Sequence, residues 1–108
     1  MDPDVEAVVV LCTVPESGAA ALADRILEAR LAACVNLVGP VRSRYWWEGR
    51  IESSDETLLL IKTTAAAVGA LRDAISEWHE YDVPEVLALP VAAGLPAYLS
   101  WIAAHVDA

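Results

Sequence analysis

Apolar and polar positions along the chain change period several times, and the changes mark out the elements. Val41, Ser43, Tyr45 and Trp47 alternate with Arg42, Arg44 and Trp46, the two-residue period of a strand. Glu48-Gly49 offers a tight turn, because glycine takes the positive φ that hairpin turns need. The chain returns through Arg50 to Glu56 and enters the apolar run Leu58-Leu59-Leu60-Ile61. Residues 35–62 therefore read as one hairpin, with arms of about 13 residues that each reach roughly 43 Å at ~3.3 Å per residue. A compact chain of 108 residues has a radius of gyration of about 13 Å and a diameter of roughly 34 Å. The Trp46-Trp47 tip should project beyond the core. An exposed tryptophan-rich edge invites pairing, which points to an oligomer whose hairpins lie against neighbouring copies.

Elsewhere the period is helical. Val68, Leu71, Ile75 and Trp78 form one apolar stripe, and Leu22, Ile26 and Ala29 form another. A third, short helix is predicted to start near Pro96, with Leu99, Ile102 and Val106 inward. Ala21-Leu22-Ala23-Asp24-Arg25-Ile26 resembles Ala70-Leu71-Arg72-Asp73-Ala74-Ile75, and each follows and precedes a strand-like run. A duplicated β-α-β unit accounts for both. The predicted fold is a single α+β domain over residues 1–108, ferredoxin-like βαββαβ with an antiparallel sheet in order 4-1-3-2, a long β2-β3 hairpin and an additional C-terminal helix.

Composition narrows the function classes. With 56% hydrophobic residues and 21% charged, the chain carries more apolar surface than one small domain easily hides, and a subunit interface would absorb it. A net charge of −9 argues against nucleic-acid or anionic-membrane partners, whose phosphates need a basic footprint. No run reaches the length of a membrane span, and the start Met1-Asp2-Pro3-Asp4 lacks a basic leader, so a cytoplasmic location is expected. There is no Ser-His-Asp arrangement in a sensible context, no glycine-rich phosphate loop and no HExxH, so no enzymatic activity is expected. RNA-recognition domains share the element order, but the central strands here, Val8-Val9-Val10-Leu11 and Leu58-Leu59-Leu60-Ile61, lack the aromatics that stack on bases.

Cys12-Thr13, Arg30-Leu31-Ala32-Ala33-Cys34-Val35-Asn36, Tyr45-x-Trp47-x-Gly49, Glu56 before Leu60-Ile61-Lys62-Thr63, and His79-x-Tyr81-x-x-Pro84-Glu85 occur in colinear order. With Leu89-Pro90-Val91 and Tyr98-Leu99-Ser100-Trp101, this pattern resembles the CutA divalent-cation tolerance proteins from about residue 7 to 103. The resemblance implies a ferredoxin-like homotrimer, related in architecture to the PII signalling proteins, with long hairpins packed between subunits. It also implies a role in tolerance of copper and other divalent metals, without an established reaction. One departure is visible: Glu80 stands where the family usually has proline after the histidine.

Candidate chemistry follows from the topology. Strand 1 ends where strand 4 begins, so Cys12 and His79 belong at the same end of the sheet. Thiolate and imidazole suit copper or another divalent metal, and Glu80 or Glu85 could assist. Neither a CxxC nor an HxxxH spacing accompanies them, and the plainer alternative is a buried cysteine and a hydrogen-bonded histidine. Cys34 should lie toward the opposite end, as a small core residue. Lys62 either snorkels at a strand end, pairs with Glu56 or Glu85, or faces an anionic ligand between subunits. Tyr45, Trp47, Tyr81, Tyr98 and Trp101, with Glu56, Lys62 and Glu85, are candidates for lining an intersubunit pocket; the alternative for the aromatics is anchoring the interface itself. The reading is a trimeric, non-catalytic metal-tolerance protein that binds metal weakly. The alternative is a PII-like trimer binding a small anionic metabolite in the intersubunit cleft.

Overall fold

The computed structural model describes residues 6–107, in the order β1 (Ala7–Val14), α1 (Glu16–Glu28), β2 (Cys34–Trp47), β3 (Arg50–Thr64), a short 3-10 turn (Ala65–Ala67), α2 (Val68–Trp78), β4 (Leu87–Pro90) and α3 (Pro96–Ala104). All strand pairs are antiparallel, and the sheet runs β2-β3-β1-β4, which read from the other edge is the predicted 4-1-3-2.

The two faces of the sheet divide by parity. Val8, Val10, Cys12 and Val14 of β1 are buried, and their partners Thr63, Ile61, Leu59 and Thr57 share their side. This face meets Leu22 and Ile26 of α1 and Leu71 and Ile75 of α2, and together they make the core. The predicted stripes hold except at Ala29, which lies past the end of α1 and is exposed. There the chain leaves the helix through Arg30 at φ 59, while the Leu31 amide donates to the Ile26 carbonyl and the Arg30 amide to that of Leu27. That is a left-handed helix stop made with arginine where glycine is the usual choice. The opposite face carries Val9, Leu11 and Thr13, Leu58, Leu60 and Lys62, Cys34 and Asn36, and Leu87 and Leu89. Helix α3 packs against β3 and β1 with Ile102 buried, and its Tyr98 lies by Cys34, so it lies over the Lys62 end of this face.

The hairpin arms of 14 and 15 residues slightly exceed the predicted length. Trp47 pairs with Arg50 across Glu48 (φ 48) and Gly49 (φ 80), the two positive-φ residues of a primed two-residue turn. The register slips between Val38 and Val41, where the Gly39 backbone backs onto Thr57 so closely that a Cβ would stand 3.3 Å from its hydroxyl. The molecule measures 46 × 25 × 21 Å, and the long dimension is the one the hairpin requires.

Candidate functional site

The first cluster sits where β1 ends and the 79–86 segment enters β4. His79 follows the last turn of α2 and is buried, with 8% of its surface exposed. Its Nδ1 accepts the Tyr81 amide at 3.0 Å, which fixes the tautomer: Nε2 carries the hydrogen and donates it to the Thr13 carbonyl at 2.8 Å. Cys12, next to Thr13, does share the sheet end with His79, but its side chain belongs to the core and is fully buried. Burial, with Glu85 and then Glu56 adding negative charge, pushes its thiol up to about 12. Each of these two donors is therefore already engaged within the chain. Among the described residues no group of three or more His, Cys, Asp or Glu is placed to hold a metal ion.

The same cluster continues onto the hairpin. The Tyr81 hydroxyl donates to Glu56 Oε2 at 3.0 Å, and Glu56 is only 6% exposed. Desolvation of the ring, then the hydrogen bond and charge of Glu56, then Tyr45 and Glu80 push the Tyr81 phenol up to about 12. Tyr45 shares a 2.6 Å hydrogen bond with Ser54 across the hairpin. Trp47, two residues on, has no such cover and is 60% exposed.

The second cluster lies at the other end of β3. Lys62 donates to Asn36 Oδ1 and approaches the Cys34 sulfur at 3.8 Å. This corrects two expectations. Lys62 pairs with neither Glu56 nor Glu85: six residues of strand separate it from Glu56, roughly 20 Å at ~3.3 Å each. Cys34 is not a core residue, because pairing with Lys62 turns it to the face opposite α1 and α2, where it is half-buried. Tyr98 and Trp101 stack on α3 with ring centroids 5.6 Å apart, and Trp101 leans on His105 at 4.9 Å. Burial, and contact with Cys34, raise the Tyr98 phenol. The residues expected to line one pocket thus fall into two groups within a chain, Tyr45, Glu56 and Tyr81 at one end and Lys62, Tyr98 and Trp101 at the other. An open cavity of about 340 Å³ adjoins the first group at Glu56, between α1 and the bulge, lined by Glu16, Leu37, Pro40, Asp55, Glu56 and Thr57 among others.

The family model for the CutA1 divalent ion tolerance protein matches residues 8–105. The chain belongs to the CutA1 family. The divalent-cation tolerance protein CutA of Pectobacterium atrosepticum is 46% identical over 101 residues, 93% of this chain and 92% of its own. A chloroplastic CutA 1 protein of Oryza sativa subsp. japonica is 46% identical over 99 residues, 91% of this chain; the chain spans only 56% of that protein's length. The crystal structure of CutA1 from Oryza sativa superposes with a TM-score of 0.93 at 43% identity, covering 95% of each chain. The family's name states a tolerance and no reaction. No helix of the described residues is long and apolar enough to cross a membrane.

The CutA1-like motifs mark positions whose partners were only partly legible. Asn36 as the holder of Lys62, and the Thr13 carbonyl as the partner of His79, were missed. For Asn36 a signal existed: two residues beyond Cys34 on a strand, it must share that residue's face.

Proposed function

We propose that this chain confers tolerance of divalent metal ions, copper included, as a homotrimer that handles metal by weak binding and not by catalysis. The observation that carries the reading is the CutA1 family match, which spans both clusters. Assembly is supported by the hairpin tip, where Trp46, Trp47 and Ile51 are 74%, 60% and 57% exposed with nothing of the described chain over them. Within a trimer, a neighbour's hairpin could bring its Tyr45, Glu56 and Tyr81 toward the Lys62, Tyr98 and Trp101 of the next copy, closing the intersubunit pocket that a single chain leaves open. A cytoplasmic location is part of the proposal and is supported by the two free cysteines, Cys12 and Cys34.

Weak binding follows from the donors. For Cys12 and His79 to hold a metal, the thiol must ionise in the core and the imidazole must give up a hydrogen bond, and another subunit must supply further ligands. Calorimetry of the intact oligomer with Cu(I), Cu(II) and Zn(II) tests this. Weak binding that Cys12→Ser and His79→Ala both reduce supports the assignment. Tight binding unaffected by either substitution removes the metal from these residues. Lys62, half-buried and held by Asn36, favours a second reading, a small anionic ligand in the cleft. A metabolite screen by thermal shift tests it, since a ligand at 100 times its dissociation constant adds ~2.7 kcal/mol.

A further inference from the structure

Neither cluster makes use of the cavity between α1 and the bulge. Its volume of about 340 Å³ lies at the small end of the range that ligand pockets occupy, roughly 300–1,000 Å³. Glu16 and Ala20 line it from the start of α1. Asp55 and Thr57 line it from β3, two residues apart and therefore on one face of the strand. Leu37 and Pro40 of β2 add apolar surface.

Thr57 points to a ligand. It is only 6% exposed, and among the described residues its hydroxyl takes part in no side-chain hydrogen bond, whereas Thr63, buried on the same face of β3, donates to the Leu31 carbonyl. A buried hydroxyl without a partner bears a desolvation cost that a bound donor or acceptor would relieve. Gly39 is what leaves it uncovered. Its backbone borders the same cavity, and a Cβ there would stand 3.3 Å from Thr57 Oγ1, so any side chain at this position would fill the space over the hydroxyl.

The charges suit an extended cation better than a compact one. Glu16 and Asp55 bring one carboxylate from each of two walls. Asp55 meets Arg42 only at 3.9 Å, with side chains 74% and 76% exposed, so it stays open to another cation. Glu56 also borders the cavity, but its carboxylate is held by Tyr81, and strand parity turns it to the other face from Asp55 and Thr57. No three His, Cys, Asp or Glu among the described residues converge as a metal ion requires. A chain of methylenes with an ammonium group at each end matches two separate carboxylates and the apolar surface of Ala20, Leu37 and Pro40.

We propose that this cavity binds a linear aliphatic diamine, one ammonium group on Glu16 and the other on Asp55, the latter donating also to the Thr57 hydroxyl. The site shares no side chain with Cys12 or His79, so it stands or falls apart from the metal reading.

The test titrates the intact protein with putrescine at fixed ionic strength, followed by amide chemical shifts and calorimetry. An affinity on the order of millimolar is expected, because both carboxylates are exposed, with shifts centred on Glu16, Ala20, Leu37 and Thr57. Glu16→Gln and Asp55→Asn should each weaken binding about fivefold, the scale of an exposed ion pair. Thr57→Val, which removes the hydroxyl at nearly constant volume, should weaken it about threefold. Butylamine, of the same chain length with one ammonium group, should bind about fivefold more weakly than putrescine. Absence of binding at tens of millimolar, equal affinity for the two amines, or shifts confined to another region overturns the proposal. So does an affinity unchanged in all three variants. If Thr57→Val does not fold, Glu16→Gln, at an exposed helix start, decides.

Discussion

Replacing Tyr81 by phenylalanine isolates the contact that joins the β4 entry to the hairpin. The substitution removes the hydroxyl that donates to Glu56 Oε2 at 3.0 Å and leaves the ring. A hydrogen bond to a charged acceptor contributes ~1.5–3 kcal/mol net, and a buried carboxylate stripped of its donor bears the desolvation cost. Glu56 is only 6% exposed, so water reaches it poorly. Tyr81 itself is 37% exposed, so some water can enter from its side, and the expected loss falls to about 1–1.5 kcal/mol. For a domain of this size each kcal/mol moves Tm by roughly 4–8 °C. Denaturant unfolding of Tyr81→Phe, Glu56→Gln and the double variant, at one protomer concentration, gives the coupling between the two groups. A coupling of about 1 kcal/mol is expected. A Tyr81→Phe variant within ~0.3 kcal/mol of the parent, with no coupling, would refute the view that this bond fixes the segment carrying His79.

Three further outcomes follow from the same geometry. The Tyr81 phenol rises from 10.0 to about 12 on folding and the Cys12 thiol from 9.0 to about 12, so the folded chain keeps protons that the unfolded chain releases. Their contribution is fully present below about pH 9 and is lost as pH climbs toward 12, so stability measured across that range should fall, and less steeply in Tyr81→Phe. Arg30→Gly should raise stability by ~0.5–1 kcal/mol in denaturant unfolding, because φ 59 costs arginine what it does not cost glycine; an unchanged midpoint would show that Arg30 makes a compensating contact. Trp47→Ala should weaken assembly by more than ~2 kcal/mol in sedimentation across a dilution series, and an unchanged oligomer would demote Trp47 to a surface aromatic.

The fold was legible because each element carries its own period. Alternation through Val41–Trp47, the apolar stripe through Leu71 and Ile75, and Pro96 at a helix start each point to one structure, and the hairpin's reach anticipated the long dimension of the molecule. The shared sheet end of Cys12 and His79 was also legible, since topology alone places it. What could not be read was the direction of single side chains on β2 and β3. Cys34 and Lys62 were read separately, one placed in the core and the other left between a strand end, a carboxylate and an anionic ligand, because the register that sets them opposite each other is a long-range property. A shift of one residue would have exchanged their faces. Likewise, nothing in the spacing of His79 and Tyr81 announces that the amide of one would occupy the imidazole of the other.

Metal tolerance itself is the central claim, and growth measures it most directly. Cells that lack their own CutA1-family protein, with and without this chain, are grown across a graded series of Cu(II). The account predicts that the chain raises the copper concentration at which growth halves. An unchanged concentration, with the protein shown to be expressed, folded and assembled, would contradict it.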